Sequence, residues 1–270
     1  MLQFTTPLKG RARSSASHVR VLLFLTGMLF WPAGSLAAQT VTFAFSEHAS
    51  PYSSKQEGEA VGLLPDIVRL VFEFIPGMEP LAKVLPWARA QYDVQHGRYE
   101  GLLTYPSDER RAYALFTDRP VYVQNFGNLV YSDVNPNASI IESATGFDAL
   151  GGLTVITEKD SGWEADNIPG DLDRVVGKDG DTMMHLLMFR KAGDYMVTTQ
   201  EGAKFLAAKH GYSAQLRTRS AEFITESLVP FHIGISRSSP GAEQIINQIE
   251  SVMDRPMFQL RLEQLISRYR

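Results

Sequence analysis

The chain has 270 residues, of which 44% are hydrophobic and 21% charged, a composition typical of a globular protein with one large or two small cores. Its 26 Lys and Arg against 30 Asp and Glu give a net charge of −4. This balance excludes a general nucleic-acid binder, whose affinity depends on a positive face, and disfavours a polybasic membrane-surface protein. Because the sequence has no cysteine, disulfide frameworks, cysteine-ligated metals and thiol nucleophiles are also excluded.

The N-terminus has the pattern of a secretory signal peptide. A basic stretch precedes an apolar run from Val21 to Trp31, and small residues follow it as far as Ala37 and Ala38. The run is too short to span a bilayer, which takes about 20 residues in a helix. We therefore expect a signal peptide over residues 1–38, cleaved after Ala37 or Ala38, with an uncleaved anchor as the alternative. Cleavage removes four basic and no acidic residues, so the mature chain has a net charge of −8 and is expected in the periplasm.

The mature chain alternates between strand and helix patterns. Strands are predicted at residues 41–45, 100–104, 121–131, 153–157, 194–198 and 231–236, and helices at 64–74, from 86 to about 97, and at 182–192, 242–253 and 257–269. Loops or polar turns are predicted at residues 50–54, 107–111 and 160–162, and residues 135–137 are the predicted crossing point between lobes. The alternation predicts an α/β fold with mainly parallel sheets, and the length fits two lobes of about 110 residues each.

The sequence carries no short motif for metal, nucleotide or serine-hydrolase chemistry. The histidines lack ligand spacing, and phosphate-binding glycine loops and the nucleophile elbow are missing. Paired aspartates at 171/173 and 179/181 lack the rest of a calcium loop and are interpreted as solvated turns. We therefore predict no catalytic residue, no metal site and no cofactor.

Several residues are of types suited to holding a small polar molecule. Tyr52 and Trp87 follow strand or loop ends, where an aromatic face can stack on a ligand. Arg110 offers a planar fork of donors for a carboxylate. Ser161 and Gly162 lie where a helix can begin and expose N–H groups to an anion. The alternative roles are structural: Trp87 as a packing residue, Arg110 in a surface ion pair and Ser161 as a helix N-cap.

In their order along the chain, these residues resemble family 3 of the extracellular solute-binding proteins, the periplasmic receptors of amino-acid-type ABC transporters. The resemblance covers nearly the whole mature chain. It is carried by residues 50–54 (SPYSS), 62–67 (GLLPDI), 85–87 (LPW), 109–110 (ER) with 116–120 (FTDRP), 193–195 (GDY) and 231–236 (FHIGIS).

The resemblance implies a type II periplasmic-binding fold: two α/β lobes joined by two crossing strands, with helices on both sheet faces and a ligand cleft between the lobes. Lobe 1 is then residues 39–122 plus 232–270, and lobe 2 is residues 123–231. Hinge closure around a ligand is known for such proteins.

The resemblance also assigns roles to individual residues. Arg110 falls on the position that grips the ligand carboxylate, and Trp87 on one that stacks against the ligand. Thr104 and Tyr105 lie near hydroxyl positions at a strand end. Ser161 and Gly162 lie near the family's anion-binding turn.

One departure from the family concerns the ligand's amino group. The family aspartate that receives it is replaced here by Thr199, which brings no charge. Either Glu201 or Glu47 substitutes for that aspartate, or the ligand is not a standard α-amino acid.

The expected function is therefore non-catalytic capture of a small, carboxylate-bearing ligand for an ABC permease in the inner membrane. The expected partners are that ligand and the permease, with no nucleic acid, and the expected state is a monomer. One alternative is a sensor without transport. Another is an enzyme on the same fold that resembles cyclohexadienyl dehydratase, with Glu164 as the candidate acid or base.

Overall fold

The computed structural model describes residues 38–159 and 161–269, so the predicted signal peptide lies outside the described residues except for Ala38. The described residues belong to one compact unit. Within them, the strands are β1 (Gln39–Ser46), β2 (His48–Ala49), β3 (Ser53–Gln56), β4 (Glu59–Val61), β5 (Met78–Leu85), β6 (Gly101–Thr104), β7 (Ala114–Phe116), β8 (Tyr122–Asn125), β9 (Asn128–Ser132), β10 (Val155–Glu158), β11 (Arg174–Gly177), β12 (Tyr195–Thr198), β13 (Leu216–Ser220) and β14 (Leu228–Ser236). The helices are α1 (Leu63–Phe72), α2 (Trp87–Gln95), α3 (Asp108–Tyr113), α4 (Ala138–Ser143), α5 (Gly162–Asn167), α6 (Gly180–His185), α7 (Gln200–His210), α8 (Ala242–Met253) and α9 (Pro256–Ser267).

The first lobe is built on a sheet in the order β5-β1-β6-β14-β7. Side chains of β1 alternate between the two faces, as the period of a strand requires. Val41, Phe43 and Phe45 pack with α1, α8 and α9, whereas Ala44 packs with α2 on the opposite face. Helices therefore cover both faces, and the carboxyl ends of β1 and β6 lie together because the two strands are parallel.

The second lobe is built on a sheet in the order β11-β10-β12-β9-β13. Its strands also divide their residues between two cores. Val155 and Tyr195 pack toward α4 and the 3₁₀ turn Phe147–Leu150, while Ile156 and Met196 pack toward α6 and α7.

The two sheets are connected by a ribbon of two antiparallel strands, β8 and the first half of β14. The chain passes into the second sheet at Phe126 and Gly127, where the Asn125 side chain accepts a hydrogen bond from the Gly127 N–H and interrupts the strand. The prediction that residues 135–137 form the crossing point is wrong, because those residues follow β9, which already belongs to the second sheet.

The two-lobed α/β fold is confirmed, with one large sheet in each lobe and a small third sheet of β2, β3 and β4, and three predictions need correction. The sheets are mixed rather than mainly parallel, because β14 and β9 run opposite to the parallel strands beside them. The predicted turn at residues 107–111 is largely the helix α3, capped by the Ser107 hydroxyl. The predicted helix at 182–192 is divided between α6 and a π-helical turn, Leu186–Arg190.

Candidate functional site

A cavity lies in the first lobe where strand ends and helix starts converge. It is bounded by the carboxyl ends of β1 and β6 and by the N-terminal ends of α1 and α2, the region where α/β sheets commonly bind ligands. Its volume is about 190 Å³. The lining residues are Phe45, Ser46, Ala49, Ser53, Leu64, Trp87, Leu103, Thr104 and Phe231. Trp87 and Thr104 were predicted site residues, and both lie in this lining.

Arg110 lies against Trp87 beside the cavity. Its guanidinium carbon is 5.4 Å from the centroid of the Trp87 ring. The Nε–H donates to Gln91 Oε1 and an Nη1–H donates to the Tyr105 carbonyl, each at 2.9 Å. Burial lowers the pKa of Arg110, but the group remains a cation at neutral pH. Of the five guanidinium N–H donors, these contacts use two, so three are not engaged in them.

Thr104 and Tyr105 differ in their placement, although they are adjacent. Thr104 is buried, and its side chain lines the cavity. Tyr105 is 45% exposed and is not a lining residue. Its carbonyl holds Arg110, so its contribution to the arrangement comes from the backbone.

Tyr52 and Thr199, both predicted site residues, form a hydrogen bond between the lobes. The Tyr52 hydroxyl, from the β2-β3 hairpin of the first lobe, donates to Thr199 Oγ1 of the second lobe at 2.6 Å. Thr199 also caps α7, since its Oγ1 accepts the Gly202 N–H at 3.1 Å. Both side chains are buried, and burial raises the pKa of Tyr52. The tyrosine ring also packs near Tyr122 of the crossing ribbon, with centroids 6.2 Å apart.

Ser161 and Gly162 begin α5 in the second lobe and do not line the cavity. The Ser161 hydroxyl accepts the Glu164 N–H at 3.4 Å, which makes it the N-cap of this short helix. Glu164 is buried, and its Oε2 accepts the Glu158 N–H at 2.6 Å. Burial raises the pKa of Glu164 to about 7, and the nearby charge of Glu158 adds to the increase.

The two acidic residues considered as substitutes for the family aspartate lie outside the cavity lining. Glu47 directly follows β1, and its carboxylate is 3.5 Å from His48 Nε2. Glu201 lies on α7 and lines a different groove of about 520 Å³, between the β2-β4 hairpin region, α7 and the end of the chain. Tyr269 and Arg268 contribute to that groove.

Sequence reasoning missed most of the apolar lining and the contacts at the crossing ribbon. Phe45 lies near the end of β1 and Phe231 lies within β14, and residues so far apart in sequence give no signal that they meet at one cavity. At the ribbon, the Trp163 ring stacks on Phe126 with centroids 4.8 Å apart, and its Nε1–H donates to the Glu226 carbonyl at 2.8 Å. Helix α5 is thereby attached to both crossing segments.

In the described part of the chain, no three histidine, aspartate or glutamate side chains are grouped so that they could hold a metal ion. Nor is any described helix both long enough and apolar enough to cross a membrane.

Comparison with solved structures identifies the fold as that of the two-lobed periplasmic-binding proteins. The chain is similar to the probable amino-acid ABC transporter extracellular-binding protein ytmK from Bacillus subtilis, with 15% identity, a TM-score of 0.67 and coverage of 86% of this chain and 97% of that one. It is similar to a histidine kinase sensor domain related to periplasmic binding proteins, with 16% identity, a TM-score of 0.65 and coverage of 86% and 96%. An ancestral amino-acid-binding protein, a precursor of cyclohexadienyl dehydratase, matches with 16% identity, a TM-score of 0.62 and coverage of 85% and 94%.

No protein-family model matches the chain, and no curated protein matches it by sequence. The expectation of a periplasmic-binding fold is confirmed. Structures of transport receptors, of a sensor domain and of an enzyme precursor share the fold, so the fold alone does not decide between those functions.

Proposed function

We propose that this protein is a periplasmic solute-binding protein that captures a small carboxylate-bearing ligand in the cleft between its lobes and delivers it to an ABC permease. The lobes comprise residues 39–122 plus 232–270 and residues 123–231, with the boundaries in the crossing ribbon. The observation that carries the proposal is the Arg110–Trp87 pair beside the cavity at the strand ends.

The chemistry of that pair fits a carboxylate. A guanidinium binds a carboxylate through two parallel N–H donors, and its position on an aromatic ring restricts its orientation. The contacts with Gln91 and Tyr105 fix the Arg110 side chain before a ligand arrives, which reduces the entropy lost on binding. Thr104 supplies a hydroxyl within the cavity.

Closure is the second part of the proposal. The Tyr52–Thr199 hydrogen bond joins the lobes, and such a contact exists only when the lobes lie together. A ligand that touches both lobes also favours this arrangement, so ligand binding and closure support each other. We further propose that the protein acts as a monomer.

A sensory role is the second candidate, because a sensor domain is among the similar structures. Ligand capture and closure would be the same in both cases. Cross-linking of the closed protein to a permease or to a sensor kinase distinguishes them.

An enzymatic role depends on Glu164, whose raised pKa suits an acid or base near neutral pH. However, its Oε2 is held by the Glu158 N–H, and it is not among the residues that line the cavity. Analysis of the recovered ligand tests this candidate, since an enzyme would return a changed molecule.

A ligand screen on two matched arginine variants tests the proposal. The exported chain is unfolded and refolded to remove carried ligand, then heated with amino acids, dicarboxylates, polyamines, opines and aromatic acids. A ligand at about 100 times its Kd adds about 2.7 kcal/mol of stability, a shift in the melting temperature of about 5 °C or more.

Arg110→Ala should weaken binding of the hit by about tenfold or more, since a charged hydrogen bond is lost. Arg111→Ala is the control, because this neighbouring arginine is exposed, and we expect no change. A panel without any hit, or equal affinities for Arg110→Ala and wild type, would contradict the proposal.

A further inference from the structure

The cavity beside Trp87 is apolar over most of its lining. Three aromatic rings, from Phe45, Trp87 and Phe231, and the aliphatic side chains of Leu64 and Leu103 surround it. Its volume of about 190 Å³ exceeds the roughly 150 Å³ of an engineered apolar cavity that holds benzene. The cavity therefore has both the size and the surface to hold an aromatic ring.

The polar side chains at the cavity can donate a hydrogen bond or already have a hydrogen-bond partner. The Ser53 hydroxyl donates to the Ser46 carbonyl at 2.7 Å, and the Ser46 Oγ accepts the His48 N–H at 3.4 Å. The hydroxyls of Thr104 and Ser46 can each donate to a ligand in the lining. Arg110, beside Trp87, adds N–H donors and a positive charge. None of the lining residues carries a carboxylate. These groups match a ligand carboxylate and offer no anionic partner to a cation.

Thr199 is also closed to a ligand ammonium group. A hydroxyl oxygen has two lone pairs that accept hydrogen bonds. The Tyr52 hydroxyl uses one of them at 2.6 Å and the Gly202 N–H uses the other at 3.1 Å. An ammonium at this position would have to displace a contact between the lobes or the cap of α7.

We propose that the ligand is a monocarboxylate with an aromatic group, or an apolar group of similar size, and without an ammonium on the carbon next to the carboxylate. This inference rests on the proposed function and specifies the ligand of the same site. The ring occupies the cavity and the carboxylate faces Arg110. An α-amino acid is selected against, because its ammonium loses water and gains no anionic partner.

The test compares two probes that differ only in that ammonium, 3-phenylpropanoate and L-phenylalanine. Titration calorimetry on the ligand-stripped exported chain should show tighter binding of 3-phenylpropanoate by about tenfold or more. Propanoate, which lacks the ring, should bind more weakly than 3-phenylpropanoate.

Equal or tighter binding of phenylalanine would overturn the inference and leave the proposed function standing, as would a screen whose hits are confined to dicarboxylates. Hits confined to polyamines, which have no carboxylate, would contradict the proposed function as well. If no compound in the broad screen binds the folded chain, the proposed function itself fails. In the first case, loss of phenylalanine binding in Glu47→Gln would identify Glu47 as the partner of the ammonium.

A pair of alanine substitutions tests whether the ring occupies this cavity. Ala49 lines the cavity, so Ala49→Leu fills part of it and should weaken 3-phenylpropanoate by about tenfold or more. Ala88 lies next to Trp87 but is exposed, and Ala88→Leu should bind as wild type does. Normal binding by Ala49→Leu would overturn the assignment of the ring to the cavity.

Discussion

Replacement of Tyr52 by Phe removes the hydroxyl that joins the lobes and keeps the ring. The lost interactions are the 2.6 Å hydrogen bond to Thr199, which is buried at both ends, and the hydroxyl's hydrogen bonds with Gln124 and Tyr122 of the ribbon. A buried hydrogen bond contributes a net stabilisation of about 1 kcal/mol. Thr199 still accepts the Gly202 N–H, so the cap of α7 is retained.

Under the proposed closure, the loss falls on the closed arrangement, because opening would separate Tyr52 from Thr199. A ligand that binds the closed protein then has its Kd raised by up to about fivefold, the factor that corresponds to about 1 kcal/mol. Small-angle scattering of the ligand-free variant should show a larger radius of gyration than that of wild type.

Two further variants separate the lobe contact from general effects. Tyr92→Phe removes the hydroxyl of a tyrosine that is 44% exposed and should change neither measurement. Thr199→Ser keeps a hydroxyl at the cap and should retain most of the affinity. An unchanged Kd and radius of gyration in Tyr52→Phe would refute the reasoning that this bond stabilises closure.

Three further predictions concern the second lobe and the ribbon. Glu164 has a pKa of about 7 against an ordinary 4.5, so the folded state holds its proton more tightly and the free energy of unfolding falls as the pH rises between those values. The decline in the free energy of unfolding should be about 3 kcal/mol between pH 4 and pH 8, measured by urea unfolding, and Glu164→Gln should remove it. Trp163→Phe loses the N–H that donates to the Glu226 carbonyl, so its free energy of unfolding should be about 1 kcal/mol lower than that of wild type. Gly127→Ala places a Cβ 2.8 Å from the Ser227 Cβ and should lower the free energy of unfolding in urea by about 1 to 3 kcal/mol.

Each of these predictions has its own contrary result. A wild-type stability that is flat between pH 4 and pH 8 would mean that Glu164 is not held protonated. Unchanged stability of Trp163→Phe would mean that its hydrogen bond at the ribbon adds nothing. For Gly127, the control is Gly146→Ala, where a Cβ meets nothing within 4 Å; equal losses in the two variants would argue against crowding at the ribbon.

The elements that were predicted from the sequence are those with a strong burial pattern. Helix α1 and strand β6 are almost wholly buried, and their apolar residues follow the helical and extended patterns of the sequence. The sequence does not predict strand β5. This strand lies at a sheet edge, its residues alternate between exposed and partly buried, and it contains Pro80. The sequence does not predict helix α7 either, because its buried residues are Gly202, Ala203 and Ala207, which give little hydrophobic signal.

The candidate site was predictable only in part, for a similar reason. Trp87 and Thr104 were predictable because Trp87 begins a helix and Thr104 ends a strand, and the sequence indicates both elements. Both residues lie in the cavity lining. The pairing of Tyr52 with Thr199 spans 147 positions and depends on how the lobes approach each other, which no local pattern encodes. Ser161 is the N-cap of α5, which is the structural alternative to a role in ligand binding, and its contact with a ligand stays a prediction.

The most direct test of the account is the affinity of the ligand found in the screen for Trp87→Ala, measured beside Tyr92→Ala by titration calorimetry. Both residues lie on α2, but Trp87 lines the cavity and Tyr92 is exposed. We predict that Trp87→Ala weakens binding by about tenfold or more while Tyr92→Ala binds as wild type does. Full affinity in Trp87→Ala would contradict the account, because the ligand would then bind somewhere other than this cleft.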